Sequence, residues 1–467
     1  MMDPCFFLRP AGVVLSVVAL SIAGTGCRTE ELHPLHVVIV SIDGFASYYL
    51  DDPRADLLNL RRLAREGAFA KRMEVSFPSL TWTCHTTLVT GATPARHGVI
   101  ANRYFDRERG AEVAFIGDAV FTKDEAVRIP TLYDAAHAAG IKTASVIWPA
   151  TAGARSLDWM IPDVESEEVH KKHTTPGLAE ELDRAGLPIG QLGRWGWDHV
   201  HSAARDDLYT RIASHLLEKH APGLLLLHLI TPDGVEHDGG PQSPEAYWAV
   251  RYADQKIGEI REAIEKPGLR GRTALFVVAD HGFLPYEREV RLNALFTREG
   301  LVELDADKKP VRRRAWAVSG GGSAGIYLLD EDRAARTALA NKLGALLEST
   351  EGVEKVLRPP DFVKLGLPDP ASDAREADLI VTAREGYSFT SAAVGDVIAP
   401  TAGLRGSHGH LPQHPRMGAI FIAWGAGVRG GKVLEGMKAI DVAPTAARLL
   451  GLEMPSAEGR VLAEILR

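Results

Sequence analysis

Six acidic and histidine side chains stand where folding can bring them to one metal ion or to a pair of ions. They are Asp43, Asp233, His237, Asp280, His281 and His408. Asp280 and His281 are adjacent after an apolar run and can both face one ion through a turn. Asp233 and His237 lie four residues apart in a predicted loop of Gly and Pro, a spacing that lets both meet one metal. Mixed carboxylate and imidazole ligation suits Zn²⁺, and Mn²⁺ or Fe can also occupy such a site.

Each of these residues also has an ordinary structural explanation. An Asp at a strand end is commonly a helix cap or a turn residue. An isolated His is commonly a surface or core residue whose hydrogen bonds are satisfied. The occurrence of all six in one chain, at strand ends and in glycine-containing loops such as 406–409, favours the metal site.

Apolar, β-branched runs alternate with segments of helical spacing along the chain. The predicted strands are 35–42, 141–148, 223–230 and 274–279, and the predicted helices are 56–66, 131–139, 206–219 and 244–264. This alternation predicts an α/β fold with a doubly wound, mostly parallel sheet and helices on both faces. Asp43, Asp233 and Asp280 follow three of the strands. They are therefore expected to converge at the carboxyl edge of the sheet, where such folds bind ligands.

The composition is that of a folded protein, with 45% hydrophobic and 24% charged residues among 467. We predict one catalytic domain over 35–462. Residues from about 285 to 405 are less regular, with a glycine run at 320–322, a predicted helix near 333–348 and a Pro-rich stretch at 359–360. This stretch is predicted to be a smaller inserted subdomain or cap.

Residues 1–27 have the pattern of a signal peptide. Arg9 precedes an apolar run over 11–23, and small residues lead to Cys27. A Cys in this position resembles a bacterial lipobox, although Gly24 stands where a larger aliphatic residue is usual. Ordinary signal cleavage and an uncleaved anchor are the alternatives. The pattern predicts an exported protein, either periplasmic, an outer-membrane lipoprotein or secreted, with membrane contact only through a lipid on Cys27.

The formal net charge of -8 argues against a general nucleic-acid-binding surface, which needs clustered Lys and Arg. It does not exclude a small nucleotide substrate held by metal ions. Cys84 is the one cysteine beyond Cys27, so no intramolecular disulfide scaffold is expected in the mature domain.

A series of motifs from about 37 to 462 resembles the nucleotide pyrophosphatases/phosphodiesterases of the alkaline phosphatase superfamily. In chain order they are Ser41-Ile42-Asp43-Gly44, Phe77 to His85 with Pro94-Ala95-Arg96-His97-Gly98, Val146 to Pro149, Pro232-Asp233 with His237, Asp280-His281-Gly282 and Gly406 to Gly409. The resemblance implies an alkaline-phosphatase-like fold and two Zn²⁺ per chain. One zinc would be held by Asp233, His237 and His408. The other would be held by Asp43, Asp280 and His281, with Thr81 also bound to it.

The same resemblance implies zinc-dependent hydrolysis of phosphodiester or pyrophosphate bonds through a phospho-threonine intermediate on Thr81. Two metal ions roughly 4 Å apart activate a hydroxyl that is otherwise a poor nucleophile and stabilise the phosphoryl group during in-line displacement. Backbone N–H groups of a predicted helix at 84–89 favour negative charge nearby. Asn102 occupies the position where the family has an Asn that donates a hydrogen bond to a phosphate oxygen. The alternative interpretation is that Asn102 is a turn residue before Tyr104. Trp82 either stacks on an organic ester group of the substrate or is ordinary packing.

Two departures from the family pattern leave the substrate preference open. Thr83 and Cys84 replace the usual Pro-Asn, and Glu236 stands where Gly is common. A small phosphodiester is the expected substrate. A phosphonate hydrolase or a phosphomonoesterase with the same metal core is the alternative within enzymes, and an inactive metal-dependent binding protein is the alternative outside them. A sulfatase is disfavoured because no Cys or Ser followed by Pro and Arg occurs at the nucleophile.

Overall fold

The computed structural model describes residues 36–118, 121–266, 268–330 and 332–467. The predicted signal peptide over 1–27, with its lipobox Cys27, lies outside the described residues. Within those ranges, no helix combines the length and the apolar character that crossing a bilayer requires.

The described strands are numbered in chain order. They are β1 (His36–Ile42), β2 (Ala68–Glu74), β3 (Arg103–Asp106), β4 (Ala111–Ala114), β5 (Thr143–Trp148), β6 (Trp159–Pro162), β7 (Leu224–Leu229), β8 (Thr273–Val278), β9 (Leu284–Arg291), β10 (Val302–Leu304), β11 (Pro310–Arg313), β12 (Ala315–Ser319), β13 (Ser323–Leu328), β14 (Val353–Leu357), β15 (Leu379–Ala383), β16 (Gly386–Thr390), β17 (Ile398–Ser407), β18 (Ala419–Gly425), β19 (Lys432–Leu434) and β20 (Met437–Lys438).

The described α-helices are numbered in the same way. They are α1 (Tyr48–Asp51), α2 (Leu58–Glu66), α3 (Thr81–Thr90), α4 (Pro94–His97), α5 (Lys123–Ala126), α6 (Leu132–Ala138), α7 (Glu167–His173), α8 (Leu178–Arg184), α9 (Gly190–Trp195), α10 (Ser202–His220), α11 (Thr231–Gly239), α12 (Pro244–Ile264), α13 (Leu292–Arg298), α14 (Arg333–Glu348), α15 (Pro359–Lys364) and α16 (Val442–Leu449). Short 3-10 helices lie at His199–His201, Pro415–Met417, Ala439–Asp441 and Ala463–Ile465.

The central sheet has the strand order β19-β2-β18-β8-β1-β7-β5-β6, with β20 also paired to β2. Its pairs are parallel except at β18, which is antiparallel to both β8 and β2. The four central parallel strands β8, β1, β7 and β5 are buried along nearly their whole lengths, because helices cover both faces of such a sheet. The predicted α/β fold with a mostly parallel sheet is confirmed.

The predicted elements appear within a few residues of their expected bounds. Pro244–Ile264 begins and ends as predicted, with Ser243 accepting the backbone N–H of Ala246 as the N-terminal cap. The helix expected at 84–89 is longer, since α3 begins at Thr81. Between β8 and β18, the chain forms a four-stranded sheet of order β12-β13-β15-β14, a pair β10-β11 and a three-stranded sheet β16-β9-β17. A second apolar cluster fills this part of the molecule and extends to residues near 77, 100 and 115.

Candidate metal centre and active site

The carboxyl ends of the adjacent parallel strands β1 and β8 carry three candidate ligands. Asp43 directly follows β1, while Asp280 and His281 follow β8. The Nε2 atom of His281 lies 3.3 Å from Oδ1 of Asp43 and 3.2 Å from Oδ2 of Asp280. Nε2 of His281 therefore lies within reach of a metal ion that either carboxylate could bind.

The three converging atoms are buried, and none has a hydrogen-bond partner in the structure. The second oxygen of each carboxylate is occupied. Oδ2 of Asp43 lies 3.1 Å from Nε2 of His228, and Oδ1 of Asp280 accepts the backbone N–H groups of Gly44 and His281. A buried polar atom without a partner costs about 1–3 kcal/mol. Three such atoms facing one point therefore fit a bound cation.

A second group of ligands forms where α11 meets the end of β17. Nε2 of His237 lies 3.4 Å from Oδ1 of Asp233, and Nε2 of His408 lies 3.7 Å from the same oxygen. Nδ1 of His237 contacts the carbonyl oxygen of Gly406 at 3.1 Å, and Nδ1 of His408 contacts that of Ser79 at 2.9 Å. A backbone carbonyl requires a donor, so each Nδ1 carries the proton and each Nε2 is free for a metal.

The prediction that Asp233 and His237 lie in a loop is wrong. Both belong to α11, which has Pro232 in its first turn, where a missing backbone N–H costs nothing. Residues four apart on a helix project from the same face. The helix therefore holds the carboxylate and the imidazole together more rigidly than a loop.

The two ligand groups adjoin each other. The rings of His281 and His408 stack with centroids 3.7 Å apart, and the ligand atoms of Asp43, Asp233 and His281 lie within 4.8 Å of one another. Burial and then the charge of Asp233 raise the pKa of Asp43 well above its usual range, and burial is also the main cause that raises the pKa of Asp280. Divalent cations relieve this crowding of buried carboxylates, so the donor set fits bound metal ions.

Thr81 is the first residue of α3 and lies beside this centre. Its side chain is 8% exposed and lines a cavity of about 130 Å³ together with Asp43 and Asp233. His85, one helical turn later, approaches the carbonyl oxygen of Thr81 with Nδ1 at 2.8 Å. The structure thus brings the predicted nucleophile and the predicted ligands to one place.

A larger cavity of about 310 Å³ also adjoins the candidate ligands. His237 and His408 form part of its wall, and residues of the smaller sheets, such as Val318 and Ile380, form another part. Ile116 and Trp197 line both cavities. The two cavities are therefore neighbours beside the candidate ligands, and they can receive different parts of one substrate.

Comparison of the chain with known proteins identifies its family. Residues 37–411 match the family model described as type I phosphodiesterase/nucleotide pyrophosphatase. The chain belongs to that family. The predicted recognition is confirmed, and so is the prediction of a hydrolase of the phosphodiesterase/nucleotide pyrophosphatase class.

Individual relatives are distant. A Schizosaccharomyces pombe protein described as an uncharacterized pyrophosphatase/phosphodiesterase is 26% identical over 85% of this chain and 72% of its own length. Human ectonucleotide pyrophosphatase/phosphodiesterase family member 7 is 26% identical over 60% of this chain and 56% of its own length. The fold is similar to that of inactive murine ectonucleotide pyrophosphatase/phosphodiesterase 5 solved with AMP, with a TM-score of 0.67, 20% identity and coverage of 93% of this chain and all of that one.

Asn102, the phosphate-oxygen donor suggested by resemblance to the type I phosphodiesterases, lines the larger cavity. Its Oδ1 accepts the backbone N–H of Trp82 at 3.0 Å, and its own carbonyl oxygen accepts the N–H of Phe115 at 2.9 Å. The side chain is thereby fixed with its amide nitrogen left to donate. Because Asn102 takes the N–H of Trp82, that donor of the α3 N-terminus is not available to a phosphoryl group.

Trp82 itself is 2% exposed and packs in the second apolar cluster near Phe77. It lines neither of the two cavities beside the candidate metal ligands. Its burial favours packing over stacking on a substrate. Trp197, which lines both cavities, is better placed for an organic ester group, and sequence reasoning missed it because the residues around it have no strand or helix periodicity.

His228 is a second residue that sequence reasoning missed. It lies in β7, where a His among leucines requires a buried partner, and that requirement was the available signal. Its Nε2 contacts Asp43, and its Nδ1 lies 3.1 Å from the carbonyl oxygen of Ile147. Ile147 has a φ of 58°, which is strained for a β-branched residue. The register shift of β5 at Ile147 thus directs a carbonyl at His228, which in turn orients Asp43.

The three residues that depart from the family pattern, Thr83, Cys84 and Glu236, do not line the cavities. Thr83 and Cys84 are fully buried in α3, and the Tyr49 hydroxyl donates to Oε1 of Glu236 at 2.6 Å. None of the three lines either cavity beside the centre. Sequence reasoning left the substrate preference open on their account, but the side chains that form the cavity walls are elsewhere.

Glu376 is a buried acid in the wall of the larger cavity. Its Oε1 accepts the N–H of Ala377 at 2.9 Å, whereas its Oε2 is buried without a partner. Burial is the main cause that raises the pKa of Glu376 from 4.5 to about 8. At neutral pH the folded protein therefore holds a proton that the unfolded chain releases.

Glu376→Gln is expected to stabilise the protein above the acidic range. Between pH 4.5 and about 8 the parent loses stability as pH rises, because the unfolded state is favoured by ionisation of this carboxyl. The variant has no such ionisation, so its advantage should grow to about 1–3 kcal/mol near pH 8. Urea unfolding at a series of pH values measures it, with exposed Glu180→Gln as the control. A difference that does not change with pH would contradict the pKa assigned to Glu376.

Proposed function

We propose that this chain is a two-zinc phosphodiesterase that cleaves phosphodiester or pyrophosphate bonds of small, nucleotide-type substrates through a phosphorylated Thr81. The observation that supports the proposal is the convergence of unpartnered, buried ligand atoms beside the cavity that Thr81 lines. Family membership supports the reaction class.

The ligand atoms divide into two sets. Asp43, Asp280 and His281 would hold one Zn²⁺ next to Thr81. Asp233, His237 and His408 would hold the other. When bound, the two ions favour the Thr81 alkoxide and neutralise charge on the phosphoryl group and on the leaving oxygen.

The residues of the chain carry the remaining chemistry. Thr81 Oγ forms a bond to phosphorus while the bond from phosphorus to the leaving oxygen breaks, and the leaving oxygen then takes a proton. Asn102 donates its amide N–H to a non-bridging phosphoryl oxygen. Water then attacks the phosphorus of phospho-Thr81, which releases a phosphomonoester and restores the hydroxyl.

The cavities support an organic ester group on the phosphorus. The larger one is walled by apolar side chains such as Leu80, Ile100 and Val318, and it has room for an aryl ring or a nucleobase. Glu376 also lines this cavity, and its unpartnered Oε2 can donate a hydrogen bond while burial keeps the carboxyl neutral. We propose that this cavity receives the organic group, in the place of the stacking on Trp82 expected from sequence.

A phosphomonoesterase is the second candidate, and Arg205 is the observation that favours it. Arg205 is 3% exposed, lines the smaller cavity with Thr81, and has a buried Nε without a partner. A guanidinium in this position suits the second charge of a monoester, or the additional phosphate of a pyrophosphate substrate.

Turnover of a chromogenic panel by the zinc-loaded protein distinguishes these candidates. We expect kcat/KM for bis-nitrophenyl phosphate to exceed that for nitrophenyl phosphate by about 10- to 200-fold, because the apolar cavity contributes on the order of 1–3 kcal/mol to one organic group. Arg205→Gln should lower the monoester rate more than the diester rate, and Arg205→Lys should recover part of it.

A preference for the monoester would assign the centre to a phosphomonoesterase. An aryl phosphonate monoester as the best substrate would assign it to a phosphonate hydrolase. Zinc binding without turnover of any of the three substrates would leave only a metal-dependent binding protein.

We propose that the protein lies outside the cytoplasm, because residues 1–27 have the pattern of a signal peptide. It would be periplasmic, attached to the outer membrane through a lipid on Cys27, or secreted.

A further inference from the structure

A second cluster of metal-type side chains lies on helices α8 and α10. Glu181 of α8 and His215 and His220 of α10 place their ligand atoms within 4.8 Å of one another. Oε1 of Glu181 lies 2.8 Å from Nε2 of His215 and 2.7 Å from Nε2 of His220. We propose that these three residues form an additional, structural site for one divalent metal ion of the zinc class.

The donor set supports this assignment. Two imidazole nitrogens and one carboxylate oxygen are the protein ligands of many zinc sites, with water in the fourth position. The three side chains are 19–25% exposed, which leaves access for an ion and a water ligand.

The positions of the rings also suit a metal. Tetrahedral bonds of about 2.1 Å place ligand atoms about 3.4 Å apart, so the two contacts to Glu181 need to lengthen by only about 0.6 to 0.7 Å. The ring of Trp159 stacks on His220 with centroids 4.3 Å apart and limits its rotation. Ala221, with a φ of 43°, ends α10 and turns the chain directly after His220. These contacts pre-organise one ligand.

This site is distinct from the candidate metal centre. Asp206, near the start of α10, accepts the N–H groups of Ile230 and Thr231 beside the carboxyl end of β7. His220 ends the same helix, 14 residues later, which is about 20 Å at 1.5 Å per residue. The cluster therefore lies toward the opposite edge of the sheet.

The location indicates what the ion would do. α8 belongs to the segment between β6 and α10, and the same segment contributes Asp163 and Trp197 to the smaller cavity. A metal bound between α8 and α10 would fasten this segment to the central domain. It would stabilise the cavity wall without touching the substrate.

Zinc counting tests the proposal independently of the catalytic centre. The parent and a His215→Gln/His220→Gln double variant are dialysed against the same buffered Zn²⁺ and analysed for zinc per chain. The parent should carry one more zinc ion than the double variant and should show a larger rise in Tm on zinc addition. His137→Gln, which removes a half-exposed histidine from α6, should match the parent in both measurements.

Equal zinc content in parent and double variant would overturn the proposal and leave a hydrogen-bonded triad. Glu181→Gln provides a second measurement if the double variant folds poorly, because it keeps a hydrogen-bond acceptor and removes only the charged ligand. Its affinity for Zn²⁺ at this site should fall at least 10-fold, and an unchanged affinity would also overturn the proposal. Loss of zinc from the catalytic centre would lower the count in both proteins and leave their difference intact.

Discussion

Thr81→Ala should lower kcat toward diesters by about 10³-fold or more, while the fold and the zinc content remain close to those of the parent. The substitution removes the proposed attacking oxygen and leaves the six proposed aspartate and histidine ligands in place. A small residual rate is expected if water attacks directly. Steady-state kinetics, zinc analysis and Tm measure the three quantities.

Thr83→Ala is the matched control for this experiment. Thr83 lies two residues later on α3, is fully buried, and has an Oγ1 without a hydrogen-bond partner. It lines neither cavity beside the centre, so its variant should keep near-parental turnover. Comparable losses in both variants would show that α3 had been disturbed and that Thr81 had no special role.

The intermediate offers a direct observation of the same step. Rapid quench of the parent with substrate, followed by peptide mass analysis, should find a phosphoryl group on Thr81. Thr81→Ala should yield none. A phosphoryl group on another residue would show that this residue, and not Thr81, is the nucleophile.

Removal of metal should abolish turnover, and Zn²⁺ should restore it. The proposed ligand atoms of Asp43, Asp280 and His281 are buried without a hydrogen-bond partner, and the ions that they would hold supply the activation of Thr81 in the proposed mechanism. We expect a loss of about 10³-fold or more after chelation. With the α8/α10 cluster removed by His215→Gln/His220→Gln, the restored protein should carry two zinc ions per chain.

Single ligand variants test how the two ions are divided. His408→Ala should lower the zinc affinity of one site by about 100-fold or more and leave the affinity of the other site nearly unchanged. Loss of a residue that only hydrogen-bonds to a ligand lowers metal affinity by about 10- to 100-fold, and loss of the ligand itself should have a larger effect. His281→Ala should affect the other site. Zinc titrations that show both sites weakened equally by His408→Ala would contradict the proposed ligand sets.

The fold was predictable to the extent that hydrophobic pattern controls it. The apolar runs that became β1, β7 and β8 are buried on both faces, so their composition alone distinguishes them from half-exposed strands. The antiparallel strand β18 was not located, because a short apolar segment does not reveal which strands it will join. The Gly and Pro of 231–239 suggested a loop, yet Pro232 stands in the first turn of a helix.

Residue type and chain order by themselves determined the α/β architecture, the family and the candidate ligands Asp43, Asp233 and His408. These depend on local pattern and on motifs that occur in a specific order. Which atom of each side chain is free was decided only by the tertiary structure, because it depends on partners far away in sequence. His228 occupies one oxygen of Asp43, and backbone carbonyls fix the tautomers of His237 and His408. Trp82 is buried in the core, whereas Trp197 lines both cavities. The sequence could not distinguish these positions, because the burial of a side chain depends on how the whole chain packs.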